Sequence, residues 1–289
     1  MNDKPLVYFT RAITPESLVK VYEALGWTPE GPVAVKISTG EPPASHPLAA
    51  DLIGPLVRRV QGTIVECNTA YGTARSSLAP HLQLAKWRGY TAIAGVDILD
   101  GTEDMALPVT GGTHLKENYV GAHLADYRSC LVLSHFKGHV RAGYGGAIKN
   151  LSIGLASSRG KHWIHTAGTS WEGFDAPTQD DFLESMAEAA KSVSDFFGGG
   201  ARLACVNVLN FLSVDCDCNG HPAPPEMADL GIAASLDPVA CDQAALDLVY
   251  AAPKSAALVA RVESRHGQHT LEAAEALGLG SRTYRLVEL

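Results

Sequence analysis

Apolar positions along this chain alternate between short runs and helical spacing. Leu6 to Phe9 is a short apolar run that predicts a strand. Thr14-Pro15-Glu16 then supplies an N-cap, a first-turn proline and a first-turn acid, and Leu18, Val21, Tyr22 and Leu25 follow at helical spacing. Val33 to Ile37, Thr63 to Glu66, Ala92 to Asp97 and Cys130 to Ser134 read as further strands. Helices are expected over Leu48 to Val60, with Pro55 kinking it, and over Ser76 to Arg88. Phe182, Leu183, Met186, Ala189, Ala190, Val193, Phe196 and Phe197 form one face of a helix. Thr178 and Asp181 start it with capping-box spacing, and Gly198-Gly199-Gly200 ends it. A strand over Leu203 to Leu209, helices from Asp237-Pro238 to Tyr250 and from His269 to Leu277, and a strand over Tyr284 to Val287 complete the pattern.

This alternation predicts an α/β fold with a mixed or mainly parallel sheet flanked by helices. No repeat or long linker divides the chain, so residues 1–289 read as one α/β domain, with room for two lobes around a cleft. In such sheets ligands sit beyond the carboxyl ends of strands, where Asn68, Asp97 and His135 are expected.

Composition narrows the function classes. The chain has 289 residues, 46% apolar and 19% charged, which is ordinary for a globular protein. No apolar run approaches the ~20 residues of a membrane span. The N-terminus MNDKPLVYFTR lacks the order of a signal peptide, so a cytoplasmic protein without a membrane partner is expected. A net charge of -8 argues against nucleic acid as a partner. Six cysteines are too sparse for a disulfide scaffold, and a reducing compartment is expected. Cys67, Cys130, Cys205 and Cys241, in apolar surroundings, read mostly as inert small hydrophobes.

Charge patterning singles out Arg128 to Trp171, with six Lys/Arg, four His, seven Gly and no Asp or Glu. Glycines let backbone N–H groups approach a ligand, and clustered cations add field, so the segment is read as an anion-binding site. His135, Lys137 and His139 have period-2 spacing and would share one side if the strand continues past Ser134. A lysine between two histidines could lose pKa and move protons. Gly143, Gly145 and Gly146 should turn the chain, with Lys149-Asn150 at a short helix whose N–H groups cradle a carboxylate or phosphate. The spacing matches neither a Walker loop nor a dinucleotide fingerprint. Asn68, Tyr71 and Arg75 lie in a strand-to-helix connection. Arg75 could clamp a carboxylate there or be a surface residue at a helix start. Asp242 reads as helix-stabilising near the start of its helix.

Asp215-Cys216-Asp217-Cys218 is the second constellation, with His221 three residues on. Cysteines two apart on an extended chain face one way, so Cys216, Cys218 and His221 could ligate a metal ion or iron–sulfur cluster. Further ligands would have to come from elsewhere. The same residues could equally form a polar turn whose cysteines do nothing.

With these motifs in hand, the chain resembles domain-of-unknown-function family 362, some members of which carry iron–sulfur modules. The resemblance runs from about Glu66 to the C-terminus. It rests on VECNTAYGTAR, on SHFKGHVRAGYGGAIKNLSIGLASSRGK with His165 following, on the CDC turn, on DLGIAASLDPVACDQAALDLV and on LGLGSRTYRLVEL. Members with a ferredoxin-like insert place cluster cysteines after the residue matching His165. That interval here, HTAGTSWEGFDAPTQDDF, has no Cys, so any redox role rests on the CDC turn. The pattern of His139, Gly143, Gly146 and Lys149 also resembles a motif of the lactate racemase family, nickel-pincer enzymes. That resemblance implies a proton-transfer role for His139 and cofactor holding by Lys149; nothing else marks a nickel-ligand histidine.

Together these readings predict a metal- or iron–sulfur-associated enzyme acting on a small anionic molecule by proton transfer or redox chemistry. It would be isomerase- or racemase-like, or an oxidoreductase with a redox partner protein. Lys137, His139, Lys149 and His165 are its catalytic candidates; Asn68, Tyr71, Arg75, Arg141, Gly145, Gly146 and Asn150 would bind substrate. The alternative is a non-catalytic metal or cluster carrier that docks with a partner. An enzyme should place the CDC turn and the basic segment in one pocket, and a carrier should keep them apart.

Overall fold

A computed structural model describes residues 4–289. The chain opens with β1 (Leu6–Thr10), α1 (Pro15–Glu23), β2 (Val33–Lys36), α2 (Ala50–Arg59), β3 (Thr63–Glu66), α3 (Leu78–Trp87) and β4 (Val96–Ile98). A hairpin of β5 (Asp104–Pro108) and β6 (Glu117–Gly121) follows, then β7 (Ser129–His135). The basic segment folds as a second hairpin, β8 (Lys137–His139) and β9 (Gly143–Gly145), then α4 (Ala147–Leu151) and α5 (Ser158–His165). The remainder is α6 (Gln179–Phe196), β10 (Leu203–Leu209), β11 (Gly231–Ser235), α7 (Pro238–Ala251), α8 (Ala256–Ser264), α9 (His269–Ala276) and β12 (Arg285–Glu288).

Eight strands make one sheet in the order β12-β1-β11-β10-β7-β2-β3-β4. Only β11 runs against its neighbours; every other pairing is parallel. The fold is therefore α/β with a mixed, mainly parallel sheet. Along β7, Cys130 and Val132 enter one apolar layer while Leu131 and Leu133 enter the other. Burial on both faces explains why this strand reads as an unbroken apolar run. The first layer packs residues of α4, α6, α7 and α9 on the sheet, and the second packs α1 and α2.

Local chemistry explains the predicted helices. Thr14 caps α1 in a capping box closed by Ser17, and Thr178 caps α6 with Asp181. Pro55 lies inside α2, within its single span. The strand expected over Ala92 to Asp97 is shorter and later, with a 3₁₀ turn at Tyr90–Ala92 before it. The strand expected to continue past Ser134 stops at His135. After Phe136 the chain restarts as β8, which pairs with β9 and not with the main sheet. No described helix is long and apolar enough to cross a membrane.

Candidate functional site

A cavity of about 260 Å³ opens beyond the carboxyl ends of the parallel strands β2, β3 and β7. Lys36 and Ser38 line it from the first, Glu66 and Cys67 from the second, and Ser134 and His135 from the third. The β8–β9 hairpin contributes Lys137 and His139, and α4 contributes Lys149 and Asn150. Lys161 and His165, one turn apart on α5, enter from another side. Cys216, Asp217 and Cys218 complete the lining. The hairpin and the CDC loop touch at Gly138, whose N–H donates to the Ser213 carbonyl at 2.8 Å. A Cβ at Gly138 would stand 2.3 Å from the Val214 oxygen, so only glycine admits this approach.

Most cations here are already partnered. Lys137 pairs with Asp217 at 2.7 Å and also donates to the His135 carbonyl. Lys36 pairs with Glu66 at 2.9 Å and donates to Asn150 Oδ1 at 2.9 Å. Burial would raise the Glu66 pKa, but Lys36 and Arg75 outweigh it and hold the carboxyl down at about 2. Lys161 donates to the Ala156 carbonyl, and Arg141 reaches Phe174 O and Asp175 at the rim. Lys149 Nζ alone among these has no hydrogen-bond or ion-pair partner among the described residues. Burial first, then Lys137 and Lys36, lower its pKa to about 7.

Several residues expected to bind substrate are engaged by other groups of the protein. Arg75 is buried, with Nε on Glu41 at 2.7 Å and Nη1 3.5 Å from Glu66, so it is committed to two internal carboxylates. Its Nη2 donates to Tyr71 Oη at 3.4 Å. Asn68 is buried outside the cavity lining, beside His81, with its N–H on Asp100. Asn150 spends its amide on Lys36, Leu133 and Ser134. Gly145 and Gly146 line the cavity, but the turn does not offer its helix-opening N–H groups to a ligand. Ala147 N–H donates to Asp242 Oδ1 at 2.7 Å and Ile148 N–H to Oδ2 at 3.0 Å. The protein's own carboxylate fills that cradle.

Two histidines differ in tautomer, as assigned from their hydrogen bonds. His139 Nδ1 accepts the N–H groups of Arg141 at 3.2 Å and Ala142 at 3.0 Å, so its proton sits on Nε2. His165 Nδ1–H donates to the Lys161 carbonyl at 2.7 Å, which leaves a lone pair on Nε2. Burial, then Lys149 and His165, push the His139 pKa well below the usual value. Burial also drives His165 down, to about 3, with Lys149 and Arg141 adding to it against the Lys161 carbonyl. Both rings are therefore neutral, one a donor and the other an acceptor at Nε2.

Cys216 and Cys218 are joined as a disulfide, contrary to the expectation of free thiols in a reducing compartment. In this form the sulfurs are not thiolate ligands. His221 is exposed and outside the cavity lining; the histidine beside the sulfurs is His139, with a ring nitrogen within 4.8 Å of both. Its Nδ1 lone pair is taken and its Nε2 is protonated, so this donor set does not fit a metal ion while the disulfide is closed. Three cysteines line the cavity, one short of the four thiolates of a common cluster. Two further groups of donor side chains close enough to share a metal ion lie elsewhere among the described residues, Asp180 with His266 and His269, and His114 with Asp181 and Glu184.

The profile described as Domain of unknown function (DUF362) matches residues 33–247. The chain belongs to this DUF362 family. Every cavity residue from Lys36 to Cys218 falls inside the matched span. No curated protein matches the chain. Among solved structures, the lactate racemase apoprotein from Thermoanaerobacterium thermosaccharolyticum is similar at 13% identity and a TM-score of 0.46, covering 70% of this chain and 50% of that one. A Thermotoga maritima protein is similar at 14% identity and a TM-score of 0.45, covering 91% of this chain and 58% of that one. The DUF362 chain thus spans between half and three-fifths of the length of these two proteins.

The cavity of this DUF362 chain brings together Lys137, His139, Lys149, His165, Tyr71, Arg75, Arg141 and both CDC cysteines. It leaves out Asn68 and His221. Lys36, Lys161 and Asp217 also line the cavity, and sequence reasoning alone does not single them out. Lys36 ends a strand and Lys161 lies inside the basic segment, so position is the signal for both; Asp217 was visible only as the middle of the CDC turn.

Proposed function

We propose that this DUF362 chain is an enzyme that moves a proton on a small carboxylate held in the cavity. One observation carries the reading: His139 and His165 bring opposite neutral tautomers into one cavity with the unpartnered Lys149. Lys149 would take the carboxylate. His165 Nε2 would accept the proton, and His139 Nε2–H would donate to the charge that develops. Burial is the main cause of the low His165 basicity, and a bound anion would offset the smaller contributions of Lys149 and Arg141. The basic segment and the CDC turn share this one cavity, which favours an enzyme over a carrier. Cys216 is moreover buried and bonded, unlike a carrier's surface thiolate.

Hydrogen–deuterium exchange tests this. A panel of 2-hydroxy and 2-amino carboxylates is incubated with the protein in D2O and followed by proton NMR. Exchange is expected beside the carboxylate of at least one compound, falling about 10²–10⁴-fold in His165→Gln. Undiminished exchange in that variant would contradict the proposal, as would binding without exchange throughout the panel.

A further inference from the structure

We propose that the Cys216–Cys218 disulfide is a thiol–disulfide exchange centre whose substrate is a small thiol bearing a carboxylate. The inference rests on the reading of the cavity as a carboxylate site, and adds a second chemistry to it.

Position argues first. A disulfide stabilises a fold mainly by closing a long loop of the unfolded chain, and the effect shrinks with loop length. This one joins residues two apart and encloses only Asp217. It ties no two elements together. Stability therefore gives little reason for it, whereas its place in the wall of a cation-lined cavity puts it beside any bound anion.

The two sulfurs are not equivalent. Cys216 is buried and Cys218 is half-buried, so a thiolate arriving from the cavity meets Cys218 first. Cys216 then leaves, and the Cys218 N–H already donates to Cys216 Sγ at 3.2 Å. The His139 ring, proton on Nε2, lies close to both sulfurs. Asp217 between them is held by His135 at 3.0 Å and by Lys137 at 2.7 Å. These bonds anchor the turn when the S–S bond opens, and they neutralise a carboxylate that would repel an anionic substrate. Cys67, the third cavity cysteine, donates its thiol to the Leu155 carbonyl, and burial pushes its pKa to about 12, so it is a poor competitor for the exchange.

The chemistry balances without another oxidant. A substrate thiolate attacks Cys218 Sγ; the substrate–Cys218 bond forms, the Cys216–Cys218 bond breaks, and Cys216 leaves as thiolate. A second substrate thiolate attacks the substrate sulfur of this mixed disulfide and releases Cys218. Two thiols become one disulfide, the protein disulfide takes two electrons, and the thiols' two protons end on Cys216 and Cys218. Lys149 is the group free to hold the carboxylate through both steps.

The experiment uses the full oxidised chain, with 3-mercaptopropionate and neutral 2-mercaptoethanol as probes. Reactions are quenched with acid, alkylated and read by mass spectrometry, with rates expressed per thiolate. The anionic thiol should react at least about tenfold faster, by electrostatic focusing, and Lys149→Met should erase the preference. The first adduct should map to Cys218. Equal per-thiolate rates, an adduct on Cys216, or full alkylation of both cysteines without reductant would each overturn the inference. Acetate binding, measured in parallel by calorimetry, separates the two claims. If acetate still binds through Lys149, only the exchange chemistry fails; if acetate does not bind, the carboxylate reading fails with it.

Discussion

Asp242 closes the first turn of α4 with both carboxylate oxygens, one on the Ala147 N–H and one on the Ile148 N–H. Asn207 donates to Oδ1 as well, at 2.7 Å. This contact fixes the helix that carries Lys149. Asp242→Asn would turn one acceptor into a donor facing an N–H group. A buried N–H left without a partner costs about 1–3 kcal/mol, and that loss is expected in denaturant unfolding. A variant as stable as the parent would show that the carboxylate does not hold the turn.

That contact also marks how far sequence could reach. The glycines and the purged carboxylates of the basic segment announced a cradle, and the cavity is indeed there. The anion that fills the cradle comes from a residue some ninety positions later, which no local pattern reveals. Capping did show locally, as at Thr14 and Thr178, because a cap is completed within four residues. The β5–β6 hairpin carries little sequence signal, since DMALP and ENYVG lack a clean alternation. Strand β11, GIAAS, is hard to read from sequence because Gly and Ala have weak strand preference, and its place is set by β1 and β10 on either side. His135, Lys137 and His139 reach one cavity as expected, but through a strand end and a separate hairpin.

Lys149 should give the cavity a pH dependence near neutrality. Its folded pKa, about 7, lies below the ordinary 10.5, so it loses its charge as pH rises through 7. Carboxylate affinity should then weaken, approaching about tenfold per pH unit, while the carboxylate itself stays ionised. Calorimetry with acetate from pH 5.5 to 8.5 checks this. Lys149→Arg should flatten the profile, because guanidinium keeps its charge. A flat profile in the parent protein would place the binding charge elsewhere.

Lys36 and Glu66 form a buried pair, and breaking it from one side leaves the other charge stranded. Lys36→Met is expected to cost about 3–5 kcal/mol in unfolding experiments, with part recovered in Lys36→Met/Glu66→Gln. The acid limb follows from the same pair. Glu66 is near 2 in the fold and 4.5 without it, so between these values the unfolded chain binds the extra proton. Its stabilisation is complete above about pH 4.5 and is lost as pH falls toward 2. Glu66→Gln should flatten that part of the stability profile; an unchanged slope would contradict the assignment.

Histidine tautomers can be read from long-range proton–nitrogen NMR on nitrogen-15-labelled protein. At pH 6 both rings should be neutral, with the proton on Nε2 of His139 and on Nδ1 of His165. Matching tautomers would remove the donor–acceptor pair.

Soaking a crystal of the protein in acetate locates the carboxylate site. A carboxylate is expected in the cavity within hydrogen-bond distance of Lys149 Nζ, near His139 and His165, with the Ala147 and Ile148 N–H groups still on Asp242. A cavity without acetate at saturating concentration, or acetate bound only away from Lys149, would contradict it.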